Sequence, residues 1–439
     1  MNQNSKSIGR VLSVPLIAGI GLTLVNCLQE KANSEPSPAD TLTGKVMSGY
    51  QGWFHTPEDG LDLGWKHYRH SSSQDFKPGY AGIDYWPDMS ELAEHERFNT
   101  SFKHADGRTA QVFSSGIRDT VVRHFKWMED YGIDGVFLQR FGTEVTTQTD
   151  RADHKQAQAR NTVLDHVRAG AEKHNRTWVV MYDLSSMKAK QLRALREDWR
   201  FLVREKKIFE SPMYQNHKKA PVVAIWGVGF KNRDYGPKEV LELVDFFKND
   251  PVFGGMTVML GTSTGWRTGE RDAMPFADWK AVYQAADIIS PWTVGRYRTP
   301  TDARRYFSGR AKDDRAWCLE REKDFLPVLF PGFSWANLKK NRAENADAFI
   351  DRLGGNFLWT QYDAAIQETG TTMIYQAMFD ELDEGTHIFK STNDVPIGES
   401  KFQTYGDLPS DHYLWLVGEA AKRLRGEIEP SSEMPERIE

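Results

Sequence analysis

The sequence predicts one (β/α)8 barrel, an α/β fold of the TIM-barrel class, with long loops at the C-terminal ends of its strands. Eight short apolar runs, rich in β-branched and aromatic residues, recur along the chain, and amphipathic stretches separate most of them. The runs are almost continuously apolar, which is typical of parallel strands covered on both faces. The chain of 439 residues is long enough for eight such units with insertions.

The eight predicted strands leave room for a helix after most of them. In chain order they are KVMSGYQGWF from Lys45, IDGVFLQRF from Ile133, TWVVMYDLSS from Thr177, PVVAIWGVGF from Pro221, MTVMLGTST from Met256, DIISPWTVGRY from Asp287, FLPVLFPGFSW from Phe325 and TMIYQAMFDE from Thr372.

Helical patterns lie between these runs. RDTVVRHFKWMEDYG, from Arg118, has a broad apolar face and ends at Gly132, and ARNTVLDHVRAGAEKH, from Ala159, behaves alike. PKEVLELVDFFKN places Pro237 at a helix start, where a missing N–H matters little. An open doubly wound sheet is the alternative fold. However, no G-x-G-x-x-G motif follows any strand, so nucleotide binding has no support.

The N-terminus has the features of an export signal over residues 1–27. Lys6 and Arg10 precede an apolar stretch, residues 11–25, that is too short and too interrupted by Gly and Pro to be a good membrane span. The following LVNC resembles a bacterial lipoprotein signal, which implies lipidation of Cys27; an ordinary signal peptide is the alternative. Lipidation would leave Cys318, the second of two cysteines, without a disulfide partner.

These features predict an exported protein, in the bacterial periplasm or at the cell surface, whose membrane contact is limited to a lipid anchor. We expect a flexible tether over residues 28–44, a catalytic barrel over 45–428 and a loose tail over 429–439. The formal net charge of -5 gives no basic footprint for nucleic acid. We expect a monomer.

In such a barrel the chemistry lies at the C-terminal strand ends. Those ends supply aromatic residues and carboxylates, but no histidine pair at metal-ligand spacing and no G-x-S-x-G elbow. We therefore expect no metal and no cofactor. A further set of candidates lies in the longest insertion, Thr56 to Phe113. The candidate substrate-binding residues from both regions are Trp53, Trp65, His67, Tyr68, Trp86, Gln139, Arg140, Tyr182, Asp183, Trp226, Trp266, Trp292, Trp335 and Asp383.

Indole rings combined with carboxylates suit a sugar site. Pyranose rings pack their C–H faces on aromatic rings, and cleavage of a glycosidic bond needs one protonated acid and a second carboxylate. FDELDEGTHIF, after the eighth strand, crowds four carboxylates, and such crowding raises one pKa so that this group carries a proton. The alternatives are structural: each Trp can be core, Asp380 a hydrogen-bond acceptor, and Arg140 a neutralising charge. A calcium site on this run is a further alternative, although the spaced loop of calcium hands is missing.

The same segment resembles the F-N-E-W-H-E-G-T-Q-I-E signature of glycoside hydrolase family 99, the endo-α-mannosidases. Weaker similarities are GWFHTPEDGLDLGWKHY from Gly52, WMEDYGIDGVFLQRF from Trp127, and Asp183 at the place of an acidic residue. The order of elements fits over almost the whole chain after the signal, but only the Glu-x-x-Glu segment is specific. The matching residues there are Phe379, Glu381, Glu384, Gly385, Thr386 and Ile388.

The resemblance implies a retaining (β/α)8 enzyme acting on α-mannosides. Glu381 would act as base on the sugar's own 2-hydroxyl, and Glu384 as acid and then base. Residues three apart on a straight strand point to opposite faces, so the chain must leave strand geometry by about Leu382. Leu382 and Asp383 replace the Trp and His of the signature, which bears on the sugar specificity. Family 71, the α-1,3-glucanases, is the nearby alternative. Two others are a glycan-binding barrel without catalysis and a cation-dependent lyase or hydrolase that uses the acidic cluster.

Overall fold

The computed structural model describes residues 37–146, 154–339 and 349–437. The predicted signal, with Cys27 as its predicted lipidation site, and most of the predicted tether lie outside the described residues. Pro38–Glu439 forms one compact unit. Within the described ranges, no helix combines the length and apolar character needed to cross a bilayer. The predicted tail is described as far as Arg437, whose guanidinium donates to both carboxylate oxygens of Asp411 at 2.7 and 2.8 Å.

The described strands form two small antiparallel pairs and one large sheet, which is parallel except for the two-residue strand Asn216–His217. In chain order they are β1 Lys45–Tyr50, β2 Phe98–Lys103, β3 Thr109–Val112, β4 Gly135–Phe141, β5 Thr177–Asp183, β6 Asn216–His217, β7 Ala220–Val228, β8 Thr257–Ser263, β9 Ile288–Trp292, β10 Asp324–Phe325, β11 Val328–Leu329, β12 Phe333–Ser334, β13 Phe349–Ile350 and β14 Met373–Gln376.

The large sheet closes on itself through one chain segment. Its neighbours run β9, β8, β7, β5, β4, β1, β14, all of them parallel. β10 pairs with β9 and β11 pairs with β14, and only two residues separate β10 from β11. The seventh predicted strand therefore joins both ends of the sheet. The predicted (β/α)8 barrel and its eight strands are confirmed, and the open doubly wound sheet is excluded.

Helices cover the outside of the barrel. The helix predicted from Arg118 ends at Tyr131, and Gly132 follows with φ of 74°, a left-handed conformation that glycine adopts without strain. The helix predicted from Pro237 begins at that residue. The described α-helices are Arg118–Tyr131, Gly142–Val145, His154–His174, Ala189–Leu192, Ala194–Arg204, Pro237–Asn249, Phe276–Ala285, Pro300–Tyr306, Lys312–Leu319, Asn356–Thr369 and His412–Leu424.

The insertion between β1 and the first helix has an aromatic core of its own. β2 and β3 form an antiparallel hairpin, and the rings of Phe76 and Trp86 stack at 5.8 Å with an interplanar angle of 15°. The hydroxyl of Tyr68 donates to the carbonyl of Phe113 at 2.8 Å, and Trp65 packs on the Tyr68 ring. These rings hold the insertion on the barrel, because each buries a large apolar area.

Candidate functional site

A cavity of about 200 Å³ opens at the C-terminal mouth of the barrel, and we call it the tryptophan cleft. It lies where parallel strand ends converge, which is the position expected for a binding site in this fold. Seven of the residues singled out in the sequence line it. Its lining comprises Gln51, Trp53, Gln139, Phe141, Asp183, Ser185, Trp226, Trp292, Met378, Glu381 and Glu384.

A turn brings Glu381 and Glu384 into the same cleft. β14 ends at Gln376, and residues 382–385 form a turn in which the N–H of Gly385 donates to the carbonyl of Leu382 at 3.3 Å. Gly385 has φ of 61°, in the left-handed region that favours glycine. The chain thus leaves strand geometry before Glu384, as side chains three residues apart require if they are to share one face.

Glu381 is a buried carboxylate with two hydrogen-bond donors. Its Oε1 accepts from Nε2 of Gln51 at 2.6 Å, and its Oε2 accepts from the hydroxyl of Thr386. Burial raises the pKa of Glu381 well above its ordinary value, and the negative charge of Glu384 raises it further. The donors from Thr386 and Gln51 act in the opposite direction by stabilising the anion.

Glu384 is half-buried and lacks such support. Among the described residues, no donor lies within hydrogen-bond distance of its side chain, although its backbone carbonyl accepts from the N–H of Ser334 at 2.8 Å. Burial raises the pKa of Glu384 to about 7, with the charge of Asp383 adding to the effect. Two neighbouring carboxyls in one dry cleft share a proton more readily than both ionise. The hydrogen bonds from Gln51 and Thr386 stabilise the anion of Glu381, which opposes the effect of burial there, and Glu384 has no such donors among the described residues.

Asp380 and Asp383, the other two acids of this segment, point away from the cleft. Asp380 accepts the backbone N–H groups of Gln51 and Gly52 at 2.7 and 2.8 Å, so it fastens the end of β1 to the chain after β14. Asp383 Oδ2 lies 2.9 Å from Nδ1 of His67 in the insertion. Burial raises the pKa of Asp380 to about 7 and that of Asp383 to about 8. In the part of the chain that the structure describes, no three His, Cys, Asp or Glu side chains are placed to share a metal ion.

Aromatic rings form the walls of the cleft. The indole of Trp53 stacks on the His67 imidazole at 3.7 Å and 6°, and on the Phe141 ring at 5.4 Å and 25°. Trp226 and Trp292 meet edge to face at 5.6 Å. The indole N–H groups of Trp53 and Trp226 are buried and have no partner among the described residues. The walls therefore offer apolar faces together with unused donors, the combination that a sugar ring and its hydroxyls need.

Strand alternation decides which of two adjacent candidates reaches the cleft. Gln139 and Asp183 face inward, whereas Arg140 and Tyr182 face the helices, where both contact the carboxylate of Asp198. Successive side chains of a strand point to opposite faces, so these neighbours could not all be site residues. Applying that period of two to the sequence excludes Arg140 and Tyr182. It also selects Gln51, which lies in phase with the inward-facing Gly49 and which the sequence reading missed.

Other candidates belong to the core or to loops outside the cleft. Trp86 is buried and donates to the carbonyl of Gln111 at 2.9 Å, and Trp266 is buried and donates to Asp314 at 3.2 Å. Trp335 packs on the ring of Phe333. Large aromatic side chains bury readily, and strand-end position alone does not distinguish a core ring from a cleft ring. The candidates that do not line the cleft are Trp65, His67, Tyr68, Trp86, Arg140, Tyr182, Trp266, Trp335 and Asp383.

Comparison with known proteins relates this fold to solved glycoside hydrolases. No family model matches the chain, and no curated protein sequence matches it. The structure is similar to that of the GH99 endo-α-mannosidase from Bacteroides thetaiotaomicron, with a TM-score of 0.63, 16% identity, and coverage of 88% of this chain and 99% of that one. The same enzyme in complex with bis-tris-propane gives 0.61, 15%, 88% and 99%. A glycoside hydrolase-like protein gives 0.51, 12%, 77% and 94%. At these identities the comparisons establish a shared fold.

Proposed function

We propose that this protein is a glycoside hydrolase that cleaves α-linked glycans and that Glu381 and Glu384 are its reacting pair. One observation carries the proposal. A buried carboxyl, Glu381, and a half-buried one, Glu384, both with raised pKa values, lie at a turn at the C-terminal mouth of a (β/α)8 barrel and face a cleft walled by tryptophans. The resemblance of the Glu-x-x-Glu segment to family 99 and the fold shared with an endo-α-mannosidase support the same conclusion.

The surroundings of the pair suit a retaining reaction in two steps. In the first step Glu384 donates its proton to the leaving glycosidic oxygen. The resemblance to family 99 implies that Glu381 removes the proton of the sugar's 2-hydroxyl while the 2-oxygen attacks the anomeric carbon. The product of this step is an anhydro-sugar. In the second step the ionised Glu384 accepts a proton from water and the water oxygen bonds to the anomeric carbon. The bond between the anomeric carbon and the 2-oxygen breaks at the same time, and Glu381 returns its proton to the 2-oxygen. Gln51 and Thr386 hold the carboxylate of Glu381 in place throughout.

Assays on a panel of α-linked glycans would identify the substrate class. We would assay the protein on α-mannans, α-1,3-glucans and plant or algal oligosaccharides, and record the anomer of the first product by NMR. Hydrolysis with retention of the α-configuration is the expected result. Binding measured by calorimetry without any product would instead support a glycan-binding barrel that lacks catalysis. Activity abolished by exhaustive chelation would support the cation-dependent alternative.

Two isosteric variants test the assignment of the reacting pair. Glu381→Gln and Glu384→Gln should each lower kcat by at least about a hundredfold, the usual contribution of a positioned acid or base. Glu205→Gln is the matched control, because this exposed glutamate follows helix Ala194–Arg204 and lines no part of the cleft. Full activity in both cleft variants would refute the assignment.

We infer further that the protein is exported and held at the membrane by lipid on Cys27. The charged n-region, the apolar stretch and the LVNC sequence support this inference. The test is incorporation of radiolabelled palmitate in the source bacterium. Label in the wild-type protein and none in Cys27→Ala is expected, whereas a wild-type protein that appears unlabelled in the soluble fraction would refute anchoring.

A further inference from the structure

A second cavity, of about 510 Å³, opens at the same end of the barrel, and arginines dominate its lining. We call it the arginine cavity. It is built from the loops that follow β8 and β9, from helix Pro300–Tyr306 and from the π-helical segment Phe307–Ala311 that follows it. Its charged lining residues are Arg271, Arg296, Arg298, Arg305, Arg310 and Asp302.

The arginine cavity and the tryptophan cleft are linked through β9. Trp292, the last residue of β9, lines the cleft, and Arg296 lines the arginine cavity four residues later. Their Cα atoms are therefore at most about 14 Å apart, the reach of four extended residues. The hydroxyl of Thr264, which also lines the arginine cavity, donates to the backbone carbonyl of Trp292. A ligand of a few sugar rings could contact both surfaces at once.

Three of the arginines are only partly neutralised. Each pairs with one carboxylate: Arg305 with Asp302 at 2.9 Å, Arg296 with Asp272, and Arg310 with Glu270. A guanidinium has five N–H donors, so one carboxylate leaves donors of each group available for a second acceptor.

Arg271 and Arg296 show that availability directly. Nε of Arg296 is buried and has no partner among the described residues. The guanidinium of Arg271 donates to the neutral backbone carbonyl of Arg296 at 3.1 Å, and among the described residues the nearby carboxylate of Glu270 acts on it only at longer range. The chain as a whole carries a formal charge of -5, so this concentration of cations is local. Five arginines and one aspartate line the cavity, and a concave surface with such an excess of positive charge attracts anionic ligands.

We propose that the arginine cavity binds an acidic substituent, a sulfate ester or a uronate carboxylate, on the glycan that occupies the tryptophan cleft. The inference rests on the proposed function, because it assigns the substrate of that same site to the anionic glycans. Planar guanidinium forks match the oxygen geometry of carboxylates and of sulfate or phosphate groups, and such charge-assisted contacts give orientation as well as affinity. The substituent would fix the register of the chain relative to Glu381 and Glu384.

Binding to matched polymers tests the proposal. The Glu384→Gln protein, which should bind without turnover, is run in affinity gels that contain dextran, dextran sulfate or polygalacturonate at physiological ionic strength. We expect one of the acidic polymers to retard the protein more strongly than dextran does. The acidic polymer with the stronger effect indicates whether the ligand group is a sulfate or a carboxylate. Inorganic sulfate is titrated separately. Inorganic sulfate that binds this cavity as tightly as the acidic polymer does would assign the cavity to a free anion and overturn the proposal.

Arginine variants localise the effect. Arg271→Ala/Arg305→Ala, in the same background, should weaken binding of the acidic polymer by about tenfold and leave dextran binding unchanged. Arg271→Lys/Arg305→Lys keeps both charges and should retain part of the affinity. The control, Arg108→Ala/Arg193→Ala, removes two exposed and ion-paired arginines outside the cavity. Equal losses in the cavity variant and the control, or no preference for either acidic polymer, would overturn the proposal.

These outcomes are separate from those of the proposed function. If Glu381→Gln and Glu384→Gln are inactive while the arginine variant binds the acidic polymer as before, the hydrolase assignment is supported and the acidic ligand is refuted. If binding depends on Arg271 and Arg305 but no acidic or neutral glycan is hydrolysed, the acidic ligand is supported and the hydrolase assignment is refuted.

Discussion

Gly385 tests whether the turn geometry holds the reacting pair. The residue lies between Glu384 and Thr386 with φ of 61°, and a Cβ added there would lie 2.8 Å from the backbone N of Ser334 and 2.9 Å from its Cβ. Gly385→Ala therefore meets two penalties, one from backbone conformation and one from overlap with β12. Gly370 offers a matched control, because its φ is 62° and a Cβ there meets nothing within 4 Å.

The two penalties differ in size between the variants. A left-handed conformation costs an L-residue about 1–2 kcal/mol, so Gly370→Ala should destabilise the protein by that amount. At Gly385, Ser334 must also withdraw, and its N–H then loses the 2.8 Å hydrogen bond to the carbonyl of Glu384. An unmade buried hydrogen bond costs about 1–3 kcal/mol, so the total for Gly385→Ala is about 2–5 kcal/mol.

Denaturant unfolding and kinetics on the preferred glycan measure both consequences. Gly385→Ala should have the lower unfolding midpoint and a reduced kcat, because displacement of the turn moves Glu381 and Glu384 relative to the substrate. Gly370→Ala should keep the wild-type kcat. Equal midpoints and equal kcat values in the two variants would show that the turn tolerates a side chain and that the reasoning from its geometry is wrong.

Three further predictions concern charge. Because burial raises the pKa of Glu384 to about 7, kcat/KM should fall as pH rises through about 7; a profile flat from pH 5 to 9 would contradict an acid role. Because the pKa of Glu384 is higher in the folded state than in the unfolded state, ionisation of this carboxyl lowers the free energy of unfolding as pH rises from about 4.5 to about 7. At pH 8 the free energy of unfolding of Glu384→Gln should therefore exceed that of the wild type by up to about 3 kcal/mol. At pH 4 the two proteins should be equally stable. Arg140→Met should destabilise the protein by about 3–5 kcal/mol with KM unchanged, because the buried Asp198 loses its only ion-pair partner among the described residues and keeps only the Tyr182 hydroxyl. Gln139→Ala should change KM or kcat with little loss of stability. The reverse pattern would refute the assigned faces.

Some parts of this fold are encoded locally. The eight apolar runs predicted the barrel strands, because a strand covered on both faces must be apolar along its whole length. Helix boundaries at Gly132 and Pro237 followed from backbone chemistry that needs no tertiary partner. The segment with Glu381 and Glu384 was recognisable as well, because neighbouring carboxylates after a strand repel one another and raise each other's pKa values, which is typical of a functional site.

Other parts depend on which groups the fold brings together. Asp380 and Glu381 are adjacent in sequence, yet one fastens β1 and the other lines the cleft, because Gln51 supplies a backbone N–H to the first and a side-chain amide to the second. His67 stacks on Trp53 only because the insertion folds back over the strand ends. No local pattern predicts those contacts.

The sequence by itself determined the barrel, its order of elements and the position of the acidic turn. The tertiary structure alone decided which tryptophans wall the cleft and which of two adjacent polar residues faces it. It also decided that five arginines from two loops and two consecutive helical segments line a cavity beside it. The physical reason is that strand and helix formation depend on the chain's own periodicity. The environment of a side chain, and with it the pKa and the available donors, depends on neighbours that are distant in sequence.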